Sequence, residues 1–178
     1  MALKSTPDRY GRVAIAIHWL SAILILGLLA AGFLAADSPN SQAKAAILRL
    51  HAPVGIAVLL LTVVRIGWWL FADRKPAPVT GTARWQALAA KAVHGLLYLA
   101  TLGLAVSGIG LMALSGAGQI LFGGAPGPLP DFWDFTPRYG HAIAARLMLV
   151  LLATHVGAAL YHQFIRGDRL LARMGLGR

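Results

Sequence analysis

Six histidines are the residues in this 178-residue chain whose type and positions could support chemistry. They are His18, His51, His94, His141, His155 and His162. Each falls inside or at the edge of a long apolar stretch, and none lies in the middle of a polar loop. Ionisable side chains in such stretches are costly and commonly mark functional sites. Because imidazole binds metals, carries protons near neutral pH and forms hydrogen bonds, these three roles have to be told apart.

Four long apolar stretches carry these histidines, at residues 13–36, 46–71, 87–114 and 142–165. Each is longer than the roughly 20 residues that an α-helix needs to cross a bilayer. Only 12% of the residues are charged, about half the share in soluble domains, and the mean hydropathy is +0.69. The sequence therefore predicts an all-α, integral membrane four-helix bundle that forms a single transmembrane domain over residues 1–178.

The basic residues predict which way the chain crosses the membrane. With four spans, both termini and the second loop lie on one side, which carries twelve of the sixteen Lys and Arg residues. The other side carries Lys44, Arg49, Arg138 and Arg146. The positive-inside rule then places the N- and C-termini in the cytoplasm. The net charge of +10 is assigned to a membrane surface, and nucleic acid is not expected as a partner.

The helical rise places the histidines at two levels. His155 follows His141 by 14 residues, which is about 21 Å and close to four whole turns, so both share one helix face. His18 lies early in the first span and can meet His155 near the cytoplasmic side. His51 lies early in the second span and can meet His141 near the periplasmic side. Since histidine is an axial ligand of haem b, two facing pairs predict a bis-His bundle with two haems.

Other uses of these histidines stay open at this point. A single histidine in a span is often an interhelical hydrogen bond, and zinc sites usually need four nitrogen or sulfur ligands. A proton relay commonly includes an intramembrane carboxylate, whereas the chain has no Glu and its six Asp are expected in loops or tails. The chain has no Cys, which excludes thiolate ligands and covalent C-x-x-C-H haem attachment.

Three segments resemble bacterial cytochrome b561 proteins. They are residues 10–20 (YGRVAIAIHWL), 50–55 (LHAPVG) and 155–162 (HVGAALYH), and the resemblance extends over essentially the whole chain. It implies a di-haem b protein of the bacterial inner membrane. Carried over residue by residue, it gives His18 and His155 to the cytoplasmic haem and His51 and His141 to the periplasmic haem. These pairs coincide with those obtained from depth.

The remaining histidines and three arginines have two interpretations each. His162 is a candidate for a quinone site near the membrane edge, or a residue that reaches to the interface. His94 lies at a depth similar to His18, so it is a possible ligand, or it forms a hydrogen bond to a haem propionate or to a neighbouring helix. Arg12, Arg49 and Arg146 are candidate partners of propionates, since arginine favours carboxylates, or simply basic residues near headgroups.

Two classes of function follow from the resemblance. In the first, the protein is an oxidoreductase that passes electrons from superoxide across the membrane to ubiquinone. In the second, it is a non-catalytic cytochrome b subunit that transfers electrons between ubiquinone and a periplasmic redox partner. The four basic residues on the periplasmic side would attract a small anion such as superoxide. A haem-free transporter is a weaker alternative, because no intramembrane carboxylate is predicted.

Overall fold

The computed structural model describes residues 2–79 and 81–177, and it is 76% helical, with no strand among these residues. Four long helices dominate it: α1 (Arg12–Asp37), α2 (Ser41–Gly67), α3 (Arg84–Leu114) and α5 (Thr136–Leu160). Two short helices, α4 (Ala117–Phe122) and α6 (Leu170–Arg173), follow α3 and α5, and a 3₁₀ turn covers Phe132–Asp134. Each long helix is long and apolar enough to cross a membrane, which confirms the predicted fold class.

The helices extend further than the apolar stretches predicted. α2 begins at Ser41 rather than at residue 46, because the Asn40 side chain accepts hydrogen bonds from the backbone N–H groups of Gln42 and Ala43. α5 begins at Thr136 rather than at residue 142, with a proline in its first turn, where a missing N–H costs nothing. Hydropathy marks the part of a helix that lies in lipid, and it does not detect these polar first turns.

α2 and α5 both end in a π-helical turn, over Trp68–Ala72 and Tyr161–Ile165. Both turns lie at the end of the bundle that carries the two chain termini, which we call the termini end. The opposite end, with α4 and the 3₁₀ turn, we call the far end. A π turn changes the register of the side chains that follow it, and such turns are frequent at functional sites.

The long helices form two hairpins. α1 packs mainly against α2, α3 packs mainly against α5, and the hairpins meet where α2 contacts α3. Leu29, Ala100, Met148 and Leu151 form the buried cluster at the centre, and Met148 is fully buried. Many large apolar side chains on the outer surface are exposed, such as Val106 at 66%, as expected for a surface that lipid covers.

Hydroxyl groups within the spans are satisfied by their own helix. Ser21, Thr62 and Thr101 each donate a hydrogen bond of 2.7 Å to the carbonyl four residues earlier. Because lipid offers no hydrogen-bond partners, this local pairing lets a hydroxyl enter the membrane at low cost.

The C-terminal segment folds back over the termini end. The indole N–H of Trp19 donates to the carbonyl of Met174 at 3.0 Å, which ties α1 to the residues that follow α6. The guanidinium of Arg173 donates to the carbonyls of Asp8 and Ala77, each at 2.8 Å. One arginine therefore joins the N-terminal segment, the α2–α3 loop and the C-terminal segment.

Asp73 is a second centre of this termini-end structure. Its carboxylate accepts hydrogen bonds from the backbone N–H and hydroxyl of Ser5, from the backbone N–H of Arg74 and from the indole N–H of Trp68. Burial by itself raises the pKa of Asp73, but these hydrogen bonds outweigh it and hold the pKa below its ordinary 3.8.

We predict that Asp73→Ala destabilises the protein by about 1–3 kcal/mol, because it removes hydrogen bonds to a charged group. Since the folded-state pKa of Asp73 is lowered, its stabilisation is complete above about pH 3.8 and is lost as the pH falls through the lower folded-state value. Thermal unfolding in detergent between pH 7 and pH 3 measures both effects. The melting temperature of the wild type should fall more steeply below pH 4 than that of Asp73→Ala.

Asp37→Ala is the matched control, because Asp37 ends α1 and its carboxylate has no hydrogen-bond partner among residues 2–79 and 81–177. Equal melting temperatures for Asp73→Ala and the wild type at pH 7 would contradict the prediction.

Candidate functional site

The structure brings together both histidine pairs that depth predicted. At the termini end, the ring centres of His18 on α1 and His155 on α5 are 6.1 Å apart. At the far end, those of His51 on α2 and His141 on α5 are 6.3 Å apart. The planes of the rings are inclined by 63° in each pair. Both pairs join α5 to the other hairpin, so they bridge the region between the two hairpins.

The spacing within each pair fits a metal ion between the rings. A histidine nitrogen binds a transition metal at about 2 Å and the ring centre lies about 1 Å further, so two axial rings have centres about 6 Å apart. Both pairs have this separation. The ring of His94 lies 5.2 Å from that of His155, which is shorter than an axial pair requires. The geometry therefore favours His18 over His94 as the residue opposite His155.

The far-end pair has a close-fitting surround. A methyl group at Gly32 would lie 3.2 Å from the ring carbon Cε1 of His51, and one at Gly108 would lie 3.4 Å from Cε1 of His141. The two glycines therefore make room for the rings. The hydroxyl of Ser107 lies 3.0 Å from Nδ1 of His141, which leaves the Nε2 atom available to a ligand. The buried Nδ1 of His51 has no hydrogen-bond partner among the described residues.

A cavity of about 940 Å³ adjoins this far-end pair. Both rings line it together with Gly55, and so do the basic side chains of Lys44 and Arg138. This volume is at the upper end of the range for cofactor and ligand sites, which is about 300–1,000 Å³. A large apolar group bound between the hairpins would therefore fill it.

Arg65 is a residue of the termini-end site that the sequence analysis did not single out. It is one of the twelve basic residues assigned above to the side of the membrane with the termini, but it lies inside α2. Its Nη2 is 3.2 Å from Nδ1 of His18, and its guanidinium carbon is 5.6 Å from the ring centre of Tyr98. The signal available in the sequence is a cation within the apolar stretch 46–71, six residues before its end.

The three arginines predicted to bind propionates differ in their surroundings. Arg12 begins α1 and is exposed. The Nε of Arg49 donates to the carbonyl of Leu121 at 3.2 Å, and Nη1 of Arg146 donates to the carbonyl of Ala142, one turn earlier, at 3.0 Å. Arg49 and Arg146 thus already have backbone partners, and their remaining N–H groups are free to bind an anion.

His162 lies in the π turn that ends α5, so its register is shifted from the stripe that His141 and His155 share. Its Nδ1 is 2.5 Å from a carboxylate oxygen of Asp168, the one ion pair among the described residues. The carbonyl of His162 also accepts from the backbone N–H of Asp168. The chain after α5 thereby folds into a tight turn with a histidine–carboxylate pair at the membrane edge.

Comparison with known proteins agrees with this architecture. A model of the family described as prokaryotic cytochrome b561 matches residues 9–177. Cytochrome b561 homolog 2 of Escherichia coli (strain K12) is 32% identical over 98% of this chain and 95% of its own length. Cytochrome b562 of Cereibacter sphaeroides is 36% identical over 93% of this chain and 94% of its own length. A protein of Yersinia pestis named probable superoxide oxidase CybB is 28% identical over 93% of this chain and 95% of its own length.

These matches extend over nearly the whole length of every protein compared, so they include all four long helices and all six histidines of this chain. The family implies b-type haem and electron transport in a bacterial membrane. With four apolar helices and two pairs of facing histidines, the chain belongs to the prokaryotic cytochrome b561 family.

Proposed function

We propose that this protein is a di-haem b cytochrome that transfers electrons across the bacterial inner membrane to ubiquinone, with superoxide as the donor. The observation that carries the proposal is the presence of two histidine pairs, at opposite ends of the bundle, whose ring centres are 6.1 and 6.3 Å apart. A bound haem iron supplies one-electron chemistry by changing between its ferric and ferrous states.

In this proposal His18 and His155 hold the haem at the termini end, and His51 and His141 hold the haem at the far end. Ser107 fixes the orientation of the His141 ring through Nδ1. The buried cluster around Met148 separates the two sites, because Met148 lies seven residues from each α5 histidine. Its close packing keeps water out of the space between the two sites.

Substitution of the paired histidines tests this assignment. Purified His18→Ala or His155→Ala should contain one haem per chain, and so should His51→Ala or His141→Ala, whereas the wild type contains two. The methyl group of alanine cannot bind iron, so the altered pair should lose its haem. The second histidine pair lies at the opposite end of the bundle and should keep its own haem. The haem concentration is measured by optical spectroscopy and divided by the protein concentration of the same sample.

His94→Ala is the control for these variants, because it removes an imidazole at the same depth without removing a proposed ligand. It should keep two haems. A single haem in the wild type, or loss of haem in His94→Ala with retention in His18→Ala, would contradict the assignment.

The proposed direction of electron flow follows from charge. The termini end carries most of the basic residues, so we place it in the cytoplasm and the far end in the periplasm. Lys44 and Arg138 line the far-end cavity, and their positive charge attracts a small anion. Asp131 also lines this cavity and weakens the field. One relative is named a probable superoxide oxidase, which supports the choice of donor.

Superoxide-driven reduction of a soluble ubiquinone analogue by the purified protein tests the proposed reaction. Two superoxide anions each give up one electron and leave as dioxygen, and the quinone takes up two electrons and two protons. The rate should fall as ionic strength rises, because salt screens the attraction between an anion and the basic far end. Absence of turnover with superoxide, in a protein that holds two haems and accepts electrons from a separate periplasmic protein, would favour the electron-transfer subunit instead.

We place the ubiquinone site beside His162, at the termini end. Reduction of a quinone needs a proton source, and an imidazole paired with the Asp168 carboxylate is a suitable donor at the membrane edge. Asp168 orients the ring by accepting from Nδ1, so the Nε2 atom is the one that faces a substrate.

His162→Phe should slow quinone reduction by about 10-fold or more, since loss of a general acid commonly costs at least that factor. Reduction of the haems by superoxide should be unchanged, because the donor reacts at the far end. Stopped-flow absorbance separates the two steps.

Tyr161→Phe is the matched control, as it removes a hydroxyl from the adjacent residue of the same π turn, whose side chain is exposed. Equal quinone rates for His162→Phe and Tyr161→Phe would remove His162 from the site.

A further inference from the structure

Arg65 places a positive charge inside the bundle at the termini-end histidine pair. It lies on α2, between His18 on α1 and Tyr98 on α3, at 3.2 Å from a ring nitrogen of the first and 5.6 Å from the ring centre of the second. An arginine guanidinium carries a positive charge and only donates hydrogen bonds. The site therefore contains a permanent cation beside a proposed haem ligand.

Within the part of the chain that the structure describes, no carboxylate forms an ion pair with this cation. Among residues 2–79 and 81–177 the only ion pair is that of His162 with Asp168, and the Nε atom of Arg65 is buried without a hydrogen-bond partner. Tyr98 offers only the face of its ring, and His18 offers one nitrogen. A charge inside a span is costly unless an anion or several acceptors satisfy it. The unmet donor of Arg65 therefore indicates an anionic ligand.

The contact with His18 points the same way. A guanidinium only donates hydrogen bonds, so Nδ1 of His18 has to accept, and its proton then lies on Nε2. A histidine that binds a metal through Nε2 normally carries its proton on Nδ1. The two arrangements exclude each other, so Arg65 needs another acceptor once His18 becomes a ligand. A carboxylate is the acceptor whose shape suits the guanidinium best.

A second cation lies near Arg65. The ammonium group of Lys75 is 5.7 Å from the ring centre of Trp69, in the loop after α2. Burial lowers the pKa of Lys75, and the positive charge of Arg65 lowers it further. An anion bound beside Arg65 would reduce this repulsion between the two positive charges.

We propose, on the basis of the function proposed above, that Arg65 is the internal counterion of the termini-end haem. It binds a propionate of that haem, and its charge raises the haem's midpoint potential. The positive charge of Arg65 would favour the form of the site that holds the additional electron. Arg12, the residue that the sequence suggested for this propionate, is exposed at the start of α1, where solvent screens its charge.

The proposal gives the two sites different electrostatics. At the far end, the rings of His51 and His141 contact Gly32, Gly108 and the neutral Ser107, and the cations Lys44 and Arg138 lie on the wall of the adjoining cavity together with Asp131. At the termini end, the pair of His18 and His155 has Arg65 in direct contact with one ring. Arg65 is therefore expected to raise the potential of the termini-end site above the value that this site would have without it, which favours transfer of an electron toward the proposed quinone site.

The test uses His51→Ala as the background, so that one haem remains and its potential can be assigned. This background is combined in turn with Arg65→Gln, Arg65→Lys and Lys91→Gln. The midpoint potential of each protein is measured by potentiometric titration with optical detection, and its haem content is measured separately. Lys91→Gln is the matched control, because it removes an exposed cation from α3 at the termini end of the bundle. We expect a lower midpoint potential in Arg65→Gln and values close to the background in Arg65→Lys and Lys91→Gln.

The haem content decides the remaining cases. Loss of the haem in Arg65→Gln with retention in Arg65→Lys also supports the proposal, because a positive charge alone then restores binding. Identical behaviour of Arg65→Gln and Arg65→Lys, in potential or in haem loss, overturns it, since charge then has no effect. Absence of haem from the His51→Ala background itself would count against the di-haem assignment, and the same Arg65 variants in the otherwise unchanged chain would then decide the question of charge.

Discussion

The constraint on which this structure depends is that a polar side chain inside a bilayer must have a partner. Hydroxyl groups meet it within their own helix, as Ser21 and Thr62 do. Imidazole rings on α5 cannot reach their own backbone in this way, so they face rings on the other hairpin. At these two levels a pair of rings therefore lies between α5 and the facing helix, whereas between the two levels the hairpins pack through the buried cluster around Met148. In the proposed function, the flat cofactors would bind at the levels of the rings.

The fold and the histidine pairs could be predicted from the sequence because a membrane helix is nearly a rigid rod. Hydropathy locates its lipid-exposed part, and the fixed rise per residue converts spacing into depth. His141 and His155 share a face of α5 for this reason alone. The ends of the helices could not be predicted in the same way. They depend on local chemistry, such as the side chain of Asn40, and on π turns such as Tyr161–Ile165, which leave no mark in the hydropathy.

Arg65 and His94 show a second limit of reasoning from spacing. When basic residues are sorted by loop, each serves only to indicate the orientation of the chain, so the count does not show that Arg65 lies inside a span. Its role depends on three helices that approach one another at a single depth, with His18 and Tyr98 on either side. For His94, depth alone left two candidates opposite His155. A difference of about 1 Å between ring separations distinguishes them, and spacing along a chain cannot resolve that distance.

The asymmetry of the bundle has a consequence for how electrons would move through it. Two sites with the same ligands differ in potential only if their surroundings differ, and charge is the largest available difference in a medium of low dielectric constant. The far end has its cations on the cavity wall, at Lys44 and Arg138, where they act on an approaching anion. The termini end has its cation against a proposed ligand. In the proposed function, the first arrangement would assist capture of an anionic donor, and the second would favour arrival of the electron at the termini end, so a bundle with two similar sites would acquire a direction.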